Sequence, residues 1–547
     1  MSATADALPR APAASSTAQA AVAAPAEDLR IGFRQWMVMI AVMLAMILEL
    51  IDTSIVNVAL PDMMGNLGAT IDEIGWVVTG YIVSNVIIIP MTSWLSGRFG
   101  RKRYTTTSIL IFVAASALCG ISTSLGELVS FRVIQGLGGG ALVATAQTVV
   151  VETFPPQRQG LGQGLFGVGA MLGPSLGPTL GGWILDHFSW PWVFYINVPL
   201  GLGAAAMCAL FLENPPYEHI RRTKSVDYAG IVLLVVGVGA LQTVFERGHR
   251  LDWFESSLIT TLVCVAAVSI VLFIWRELTT PEPIVDLSVL RYRNLSVGCL
   301  LGVAMSVGLF GLIFLFPVFA QNLLGWTAWQ TGMAMLPGSM ATAVAMFTAG
   351  RLVWKVGMAP LYFVGAGFFT LALNSMMHWN HLSGWSDVLP AQIARGFAMG
   401  LMFVPLSTAT LRMMPPADVS KAAGLYNLFR QLGGSFGIAV LGTMLDHRQR
   451  VHSAYLAESV STLSPLTQQR EAALQTMFQS RGLDASSALD AAHRAIGGTL
   501  QHQAMALSFN DAYRFILMVM LVSLPLVLLL RRGQPGGAPT ARVHIDP

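Results

Sequence analysis

Glu49 and Asp52 stand three residues apart inside an otherwise apolar run, so a helix would carry both on one face. A carboxylate in such surroundings is costly and marks a functional position. One acid of such a pair can hold a proton near neutral pH and release it when water or a cation enters, which is the chemistry of proton coupling. Three arginines also sit inside apolar runs: Arg132, Arg395 and Arg430. Arg132 and Asp52 fall at similar depths in their runs and are expected to pair, with Arg132 tuning the acid while a ligand competes for it. Arg395 and Arg430 either pair with an acid across a cavity or attract an anionic group on a ligand. Three arginines against two acids put lipophilic weak acids on an equal footing with lipophilic cations as cargo. Asn57 and Gln135 supply further polar contacts to cargo, and Phe310 and Phe314, with Met335, Met346 and Phe403, an adaptable apolar lining.

Other chemistries find little support. GQGLFG at 162–167 fits a dinucleotide fingerprint but follows no strand, and GGSFG at 433–437 fits a nucleophile elbow without its strand-turn-helix setting. Cys119, Cys208, Cys264 and Cys299 lie far apart in apolar runs and read as small packing residues. No cofactor, metal or enzymatic activity is expected, and a net charge of +3 without a basic stripe excludes a nucleic-acid partner.

The elements that would position these residues are membrane helices. Of 547 residues 54% are apolar and 11% charged, against roughly 25% charged in a soluble domain, and mean hydropathy is +0.62. Cutting at charged and Pro/Gly-rich breaks leaves fourteen runs long enough to span a bilayer. They fall near 35–60, 74–96, 104–124, 127–152, 160–185, 192–212, 226–246, 254–275, 294–320, 329–352, 359–378, 387–413, 420–445 and 510–530. Basic residues gather in alternate connections: Arg98, Arg101, Lys102 and Arg103; Arg158; Arg221, Arg222 and Lys224; Arg276, Arg291 and Arg293; Arg351 and Lys355; Arg412 and Lys421. The positive-inside rule makes these cytoplasmic and both termini with them, the last tail opening on Arg531 and Arg532. The segment 446–508 then faces outward. Within it QQREAALQTMF and SSALDAAHRAI look like short amphipathic helices, forming either a solvated cap or a docking surface for an extracytoplasmic partner.

The chain also repeats itself at a shift of 260 residues, so that QGLGGG at 135–140 faces RGFAMG at 395–400. In the same register FPP at 154–156 faces MPP at 414–416, and Gly173 and Gly177 face Gly433 and Gly437. A repeat of unchanged orientation predicts two bundles related by an axis along the membrane normal, with cargo bound between them. If each bundle has six helices, spans seven and eight are an insertion. The resulting organisation is a disordered cytoplasmic tail over 1–34, a first bundle over 35–212, a linker with two extra helices over 213–293, a second bundle over 294–531 and a tail over 532–547.

Seven strings in order now resemble one family. IDTSIVNVALP at 51–61, SGRFGRKR at 96–103, FRVIQGLGGG at 131–140, GAMLGPSLGPTLGG at 169–182, FYINVPLG at 194–201, LDWF at 251–254 and PIVDLSVL at 283–290 are similar to the major facilitator superfamily. The resemblance is to its fourteen-helix drug:proton antiporter branch, in the EmrB-like group of tripartite-exporter subunits. It implies an all-α membrane protein with two six-helix bundles plus two inserted helices, exporting lipophilic drugs or toxic small molecules against protons across a bacterial inner membrane. It implies a periplasmic membrane-fusion adaptor and an outer-membrane channel as partners. It gives Arg98, Gly100 and Arg101 a conformational role, and Gly173, Pro174, Gly177 and Gly181 a role in sealing the antiporter against leak. Ser93 and Gly97 depart from the family's usual Gly and Asp in the loop string. Asp52→Asn is expected to abolish coupled efflux while leaving expression intact. The alternatives are an exporter of an endogenous metabolite or siderophore, and a non-transporting receptor or scaffold.

Overall fold

The structure, a computed structural model, describes residues 32–155, 158–214, 226–461 and 464–530. Arg221, Arg222, Lys224, Arg531, Arg532, Pro156 and nearly all of both tails lie outside the described residues. Within them every regular element is helical, and fourteen helices follow the apolar runs: α1 Phe33–Leu67, α2 Trp76–Phe99, α3 Arg101–Ile121, α4 Leu125–Thr153, α5 Gln159–His187, α6 Asn197–Phe211, α7 Tyr228–Arg247, α8 Ser257–Thr279, α9 Arg293–Asn322, α10 Ala328–Val356, α11 Met358–Met376, α12 Trp385–Leu411, α13 Val419–Ser459 and α14 Ala485–Val527. Thirteen helical stretches are apolar and long enough to cross a membrane, α6 among them when taken with the short helix Trp192–Tyr195 before it, and α5, with 29 residues, matches them in length. The protein is a multi-pass membrane protein. Helices are the form that lets an apolar chain satisfy its backbone internally in lipid.

Local sequence sets many of the helix starts. Ser124 accepts the backbone N–H of Glu127 at 3.3 Å, Asp227 that of Gly230 at 3.0 Å, and Thr327 forms a capping box with Gln330. We call the face where α1 begins basal and the opposite face distal. At the basal turn between α2 and α3, Gly100 takes φ 83°, and an added Cβ would lie 3.1 Å from Asn214 Nδ2. That asparagine in turn accepts the N–H of Lys102 at 3.0 Å. A side chain here would meet both a left-handed backbone and a filled space.

The two sets of six helices pack by the same device. In the first set Gly136 and Gly140 of α4 bring that helix against the carbonyls of Tyr81 and Asn85 on α2, where an added Cβ would stand 2.4 Å from each oxygen. In the second, Gly396 and Gly400 of α12 meet the carbonyls of Gly338 and Thr342 on α10 at 2.1 and 2.8 Å. Likewise Gly173 and Gly177 of α5 face Leu50 and Ser54 of α1, while Gly433 and Gly437 of α13 face Val303 and Val307 of α9. The 260-residue repeat is therefore a repeat of helix contacts. The sets meet along α5 with α10 and α2 with α13, and the pair α7–α8 lies beside them with α7 against α2 and α13.

The segment 446–508 differs from expectation. The α13 and α14 helices run to 41 and 43 residues, about 60 Å each at 1.5 Å per residue, so both continue well past a 30 Å hydrocarbon core. The string 468–478 lies within a separate helix, Pro465–Ser480, whereas 486–496 is the opening of α14 itself. Hydropathy ends where lipid ends, but the Ala- and Gln-rich sequence remains a good helix former in water. The two extensions support each other: Asp511 of α14 holds Arg448 at 3.2 Å and His452 at 2.9 Å from α13. Similarly, α1 continues through Pro61 to Leu67 instead of stopping near residue 60.

Candidate functional site

Three residues advance a helix by almost a turn, so α1 carries Glu49 and Asp52 on one side. Their surroundings nevertheless diverge. Asp52 is fully enclosed. Its Oδ2 accepts Nη1 of Arg132 at 2.6 Å, and its Oδ1 accepts Nε2 of Gln135 at 2.9 Å and Nδ2 of Asn197 at 2.7 Å. Arg132 is equally held: Nε donates to the carbonyl of Val77 at 3.2 Å, Nη1 also to Oε1 of Gln135 at 2.7 Å, and the guanidinium lies 4.0 Å over the Tyr81 ring. Asn197 also donates to Ser116 Oγ at 3.0 Å, and Ser116 donates to the carbonyl of Phe194 at 2.9 Å. Five helices, α1, α2, α3, α4 and α6, thus close one polar knot inside the first set.

Glu49 lies outside that knot. Oε1 accepts Nδ2 of Asn85 at 2.9 Å, whereas Oε2 is buried near the hydroxyl of Tyr81, and neither of those two atoms completes a hydrogen bond within 3.5 Å. Gly139 leaves the space they occupy, since an added Cβ there would lie 2.8 Å from Tyr81 Oη and 3.3 Å from Glu49 Cγ. Across the seam, Arg430 of α13 interacts electrostatically with Glu49 but is not close enough to form an ion pair within 4 Å; its guanidinium stands 5.6 Å from the Phe403 ring. A buried carboxylate with one unbonded oxygen therefore lies within electrostatic reach of a cation on the other set of helices.

Arg395 makes no pair with either acid. It is 6% exposed, donates Nε to Oε1 of Gln392 at 2.7 Å, and lines a small cavity between the two sets. The cavity, about 20 Å³ for a water-sized occupant, is otherwise bounded by Met171 and Pro174 of α5 and by side chains such as Leu309, Ile313, Met335 and Met399. Among the described residues no carboxylate forms an ion pair with Arg395, and the space beside it has room for about one water.

The remaining sequence-derived residues are dispersed. Gln135, expected against cargo, is enclosed with Asp52 because it stands one turn from Arg132 on α4. Asn57 is exposed on α1 and donates to the carbonyl of Thr53 at 3.0 Å. Phe310 and Phe314 are half-buried on α9, Phe310 packed over Gly434. At the basal face Arg98 approaches the Trp94 ring at 5.7 Å, and buried Arg101 forms an ion pair with Glu152 of α4. Gly173, Gly177 and Gly181 pack on α1, and Pro174 reaches the Arg395 cavity. Asn85, Asn197, Ser116 and Tyr81 escaped the sequence reading. Their signal was faint: one amide in YIVSNVIII and one in FYINVPLG, each alone in an apolar string.

Comparison with known proteins agrees with this architecture. The family model described as Major Facilitator Superfamily matches residues 42–438. "Multidrug export protein EmrB" of Escherichia coli (strain K12) is 34% identical over 498 residues, covering 89% of this chain and 94% of that protein. "Fatty acid resistance protein FarB" of Neisseria gonorrhoeae is 33% identical over 493 residues, with the same coverage of 89% and 94%. Among solved structures the superfamily's proton:xylose symporter XylE superposes with a TM-score of 0.56 at 16% identity, covering 77% of this chain and 90% of that one. With a family model spanning most of its length, a 34% identical relative covered almost end to end and paired six-helix sets, the chain belongs to the major facilitator superfamily and is a membrane transporter of the EmrB-like kind rather than an enzyme.

Proposed function

We propose that this protein is a proton-coupled antiporter that exports lipophilic drugs or toxic small molecules across a bacterial inner membrane, its basal face cytoplasmic. The observation that carries the proposal is the half-satisfied Glu49, buried with Oε2 unbonded and in electrostatic reach of Arg430 on the other set of helices. Its unbonded oxygen offers a proton a place to bind, and the charge it leaves behind on deprotonation is one that Arg430 can approach. Asp52, saturated by three donors and closed to water, acts as a fixed anchor that holds α1, α4 and α6 in register. Proton exchange at Glu49 then changes the attraction between the two sets, and their rocking exposes the seam alternately. The membrane potential adds about 2.3 kcal/mol per charge per 100 mV to this drive.

The buried charge of Arg395, bonded only to Gln392 beside the seam, supports an anionic lipophile among the cargoes once the seam opens beyond its present water-sized cavity, and a relative named for fatty acid resistance agrees with it. The helical projection formed by α13, Pro465–Ser480 and α14 is the natural landing place for a periplasmic adaptor that leads to an outer-membrane channel. The test is transport by the purified full chain in proteoliposomes under an imposed pH gradient, with anionic, neutral and cationic lipophiles. Substrate-dependent proton flux that disappears in Glu49→Gln supports the reading; equal flux in the variant removes Glu49 from the coupling.

A further inference from the structure

The inserted pair α7–α8 is asymmetric. Much of α8 is turned outward, with Val271, Trp275 and Leu278 more than 60% exposed, whereas α7 sits in the seam against α2 of the first set and α13 of the second. At its distal end α7 bonds to both. Toward the first set, Arg247 donates Nη2 to the carbonyl of Asp72 at 2.7 Å and lies 4.5 Å over the Trp76 ring. Gly75 is what admits it, since an added Cβ there would stand 2.8 Å from Arg247 Nη1. Toward the second set, the fully buried Gln242 donates Nε2 to Ser435 Oγ at 2.7 Å.

The turn after α7 makes two more contacts to α13. Trp253 donates Nε1 to Thr443 Oγ1 at 2.7 Å, and His249 approaches Asp446 at 3.3 Å. To reach them the chain places Asp252 and Trp253 in succession at φ 52°, a conformation that side chains rarely adopt. Such strain persists where surrounding contacts over-determine it. Here those contacts are the indole bond to α13 and the bond from Trp253 N–H to the Gly248 carbonyl at 2.8 Å.

We infer that α7 and its distal turn form a latch across the two sets of helices, which must release α13 before their distal ends can separate. Release falls on the α13 side because its contacts are two neutral hydrogen bonds and the solvent-exposed His249–Asp446 pair, whereas on the first set the charged Arg247 is buried and clasped by a carbonyl and a ring. The inserted helices thereby travel with the first set and regulate how freely the second moves.

The latch is tested first by distance. In the full chain carrying Cys264→Ser, spin labels at Asn66→Cys and Tyr455→Cys report the separation of the distal ends of α1 and α13. Adding Gln242→Leu and Trp253→Phe is expected to raise the longer-distance population roughly tenfold, the scale for losing two hydrogen bonds. An unchanged distribution in a correctly folded variant overturns the inference, whatever the protein transports. The second test rests on the transport reading. A disulfide between His249→Cys and Gly442→Cys, whose Cβ would lie 3.2 Å from the present imidazole, is expected to stop exchange until it is reduced. Equal turnover in the oxidised and reduced forms overturns the latch. A reduced variant that moves no cargo counts against the transport reading, and the distances still judge the latch.

Discussion

Replacing each α1 acid by its amide separates an anchor from a carrier. In Asp52→Asn the side-chain oxygen can still accept from Gln135 and Asn197, but the amide nitrogen then faces Arg132 Nη1, donor against donor at the 2.6 Å now spanned by a hydrogen bond. Arg132 is 1% exposed and its other partners are a carbonyl, an amide oxygen and the Tyr81 ring, none of them anionic. Leaving one member of a buried pair uncompensated costs about 3–5 kcal/mol, a shift of roughly two to three and a half powers of ten in the folding equilibrium. Glu49→Gln, by contrast, keeps the acceptor for Asn85, and the acid it replaces has no ion-pair partner within 4 Å. Its cost in stability should stay within about 1 kcal/mol.

The expected outcome is therefore crossed. Thermal unfolding in detergent should show a large loss for Asp52→Asn and little for Glu49→Gln, while proteoliposomes containing folded Glu49→Gln should lose proton-driven transport and retain cargo exchange without a gradient. The sequence-based expectation was that Asp52→Asn spares expression and removes coupling; the enclosed pair with Arg132 instead predicts poor accumulation. An Asp52→Asn protein as stable as the parent and selectively uncoupled, beside a Glu49→Gln protein that still couples, would refute the assignment of roles.

Three further outcomes follow from other parts of the molecule. Arg395→Gln should weaken binding of anionic lipophiles by roughly thirtyfold or more, as for loss of one partner from a desolvated charge pair, and leave neutral compounds nearly unaffected in the same binding assay. Gly396→Ala forces a Cβ to 2.1 Å from the Gly338 carbonyl and should lower stability by about 1–3 kcal/mol, whereas Gly97→Ala, with nothing within 4 Å, should be neutral or slightly stabilising in the same melts. At the basal face, hydrogen bonds from the Arg276 guanidinium hold the Asp227 carboxyl below its usual range. The stability it adds relative to Asp227→Asn is thus complete above the ordinary carboxylate pKa and fades as pH falls through the depressed one, which paired melts from pH 7 down to about 3 would trace.

Much of the helical architecture was legible because every span is its own hydrophobic unit, so that fourteen apolar runs became fourteen helices. Helix ends in water were not, since the polar string from Asp446 to Ser459 stops being apolar without ceasing to be helical. Pro61 misled in the same way: it removes one backbone donor near the end of α1, and neighbouring turns carry the helix past it. The pairing of Asp52 with Arg132 could be read from equal depths in two helices. The amides that complete the knot could not, because Asn197 reaches Asp52 across 145 residues of chain and no local spacing announces it. Gln135 illustrates a related point: polarity in an apolar helix suggests a ligand contact, and the structure places this amide against a buried acid.

The distribution of tight and loose contacts bears on how such a protein could move. Within each set, helices approach through glycines whose neighbours are backbone atoms, at Tyr81 and Asn85 in one and Gly338 and Thr342 in the other, and close packing of that kind resists deformation. Between the sets the polar contacts are of another sort. Gln147 of α4 accepts from Asn427 of α13 at 2.5 Å, yet Gln147 Nε2 and Asn427 Oδ1 are left without partners. Glu49 and Arg430 attract without touching, and Arg395 has only an amide. Unsatisfied groups are costly where they are and become satisfied when water or cargo enters. Water or cargo entering the seam would satisfy these groups, while the duplicated glycine contacts keep each set of helices moving as one body.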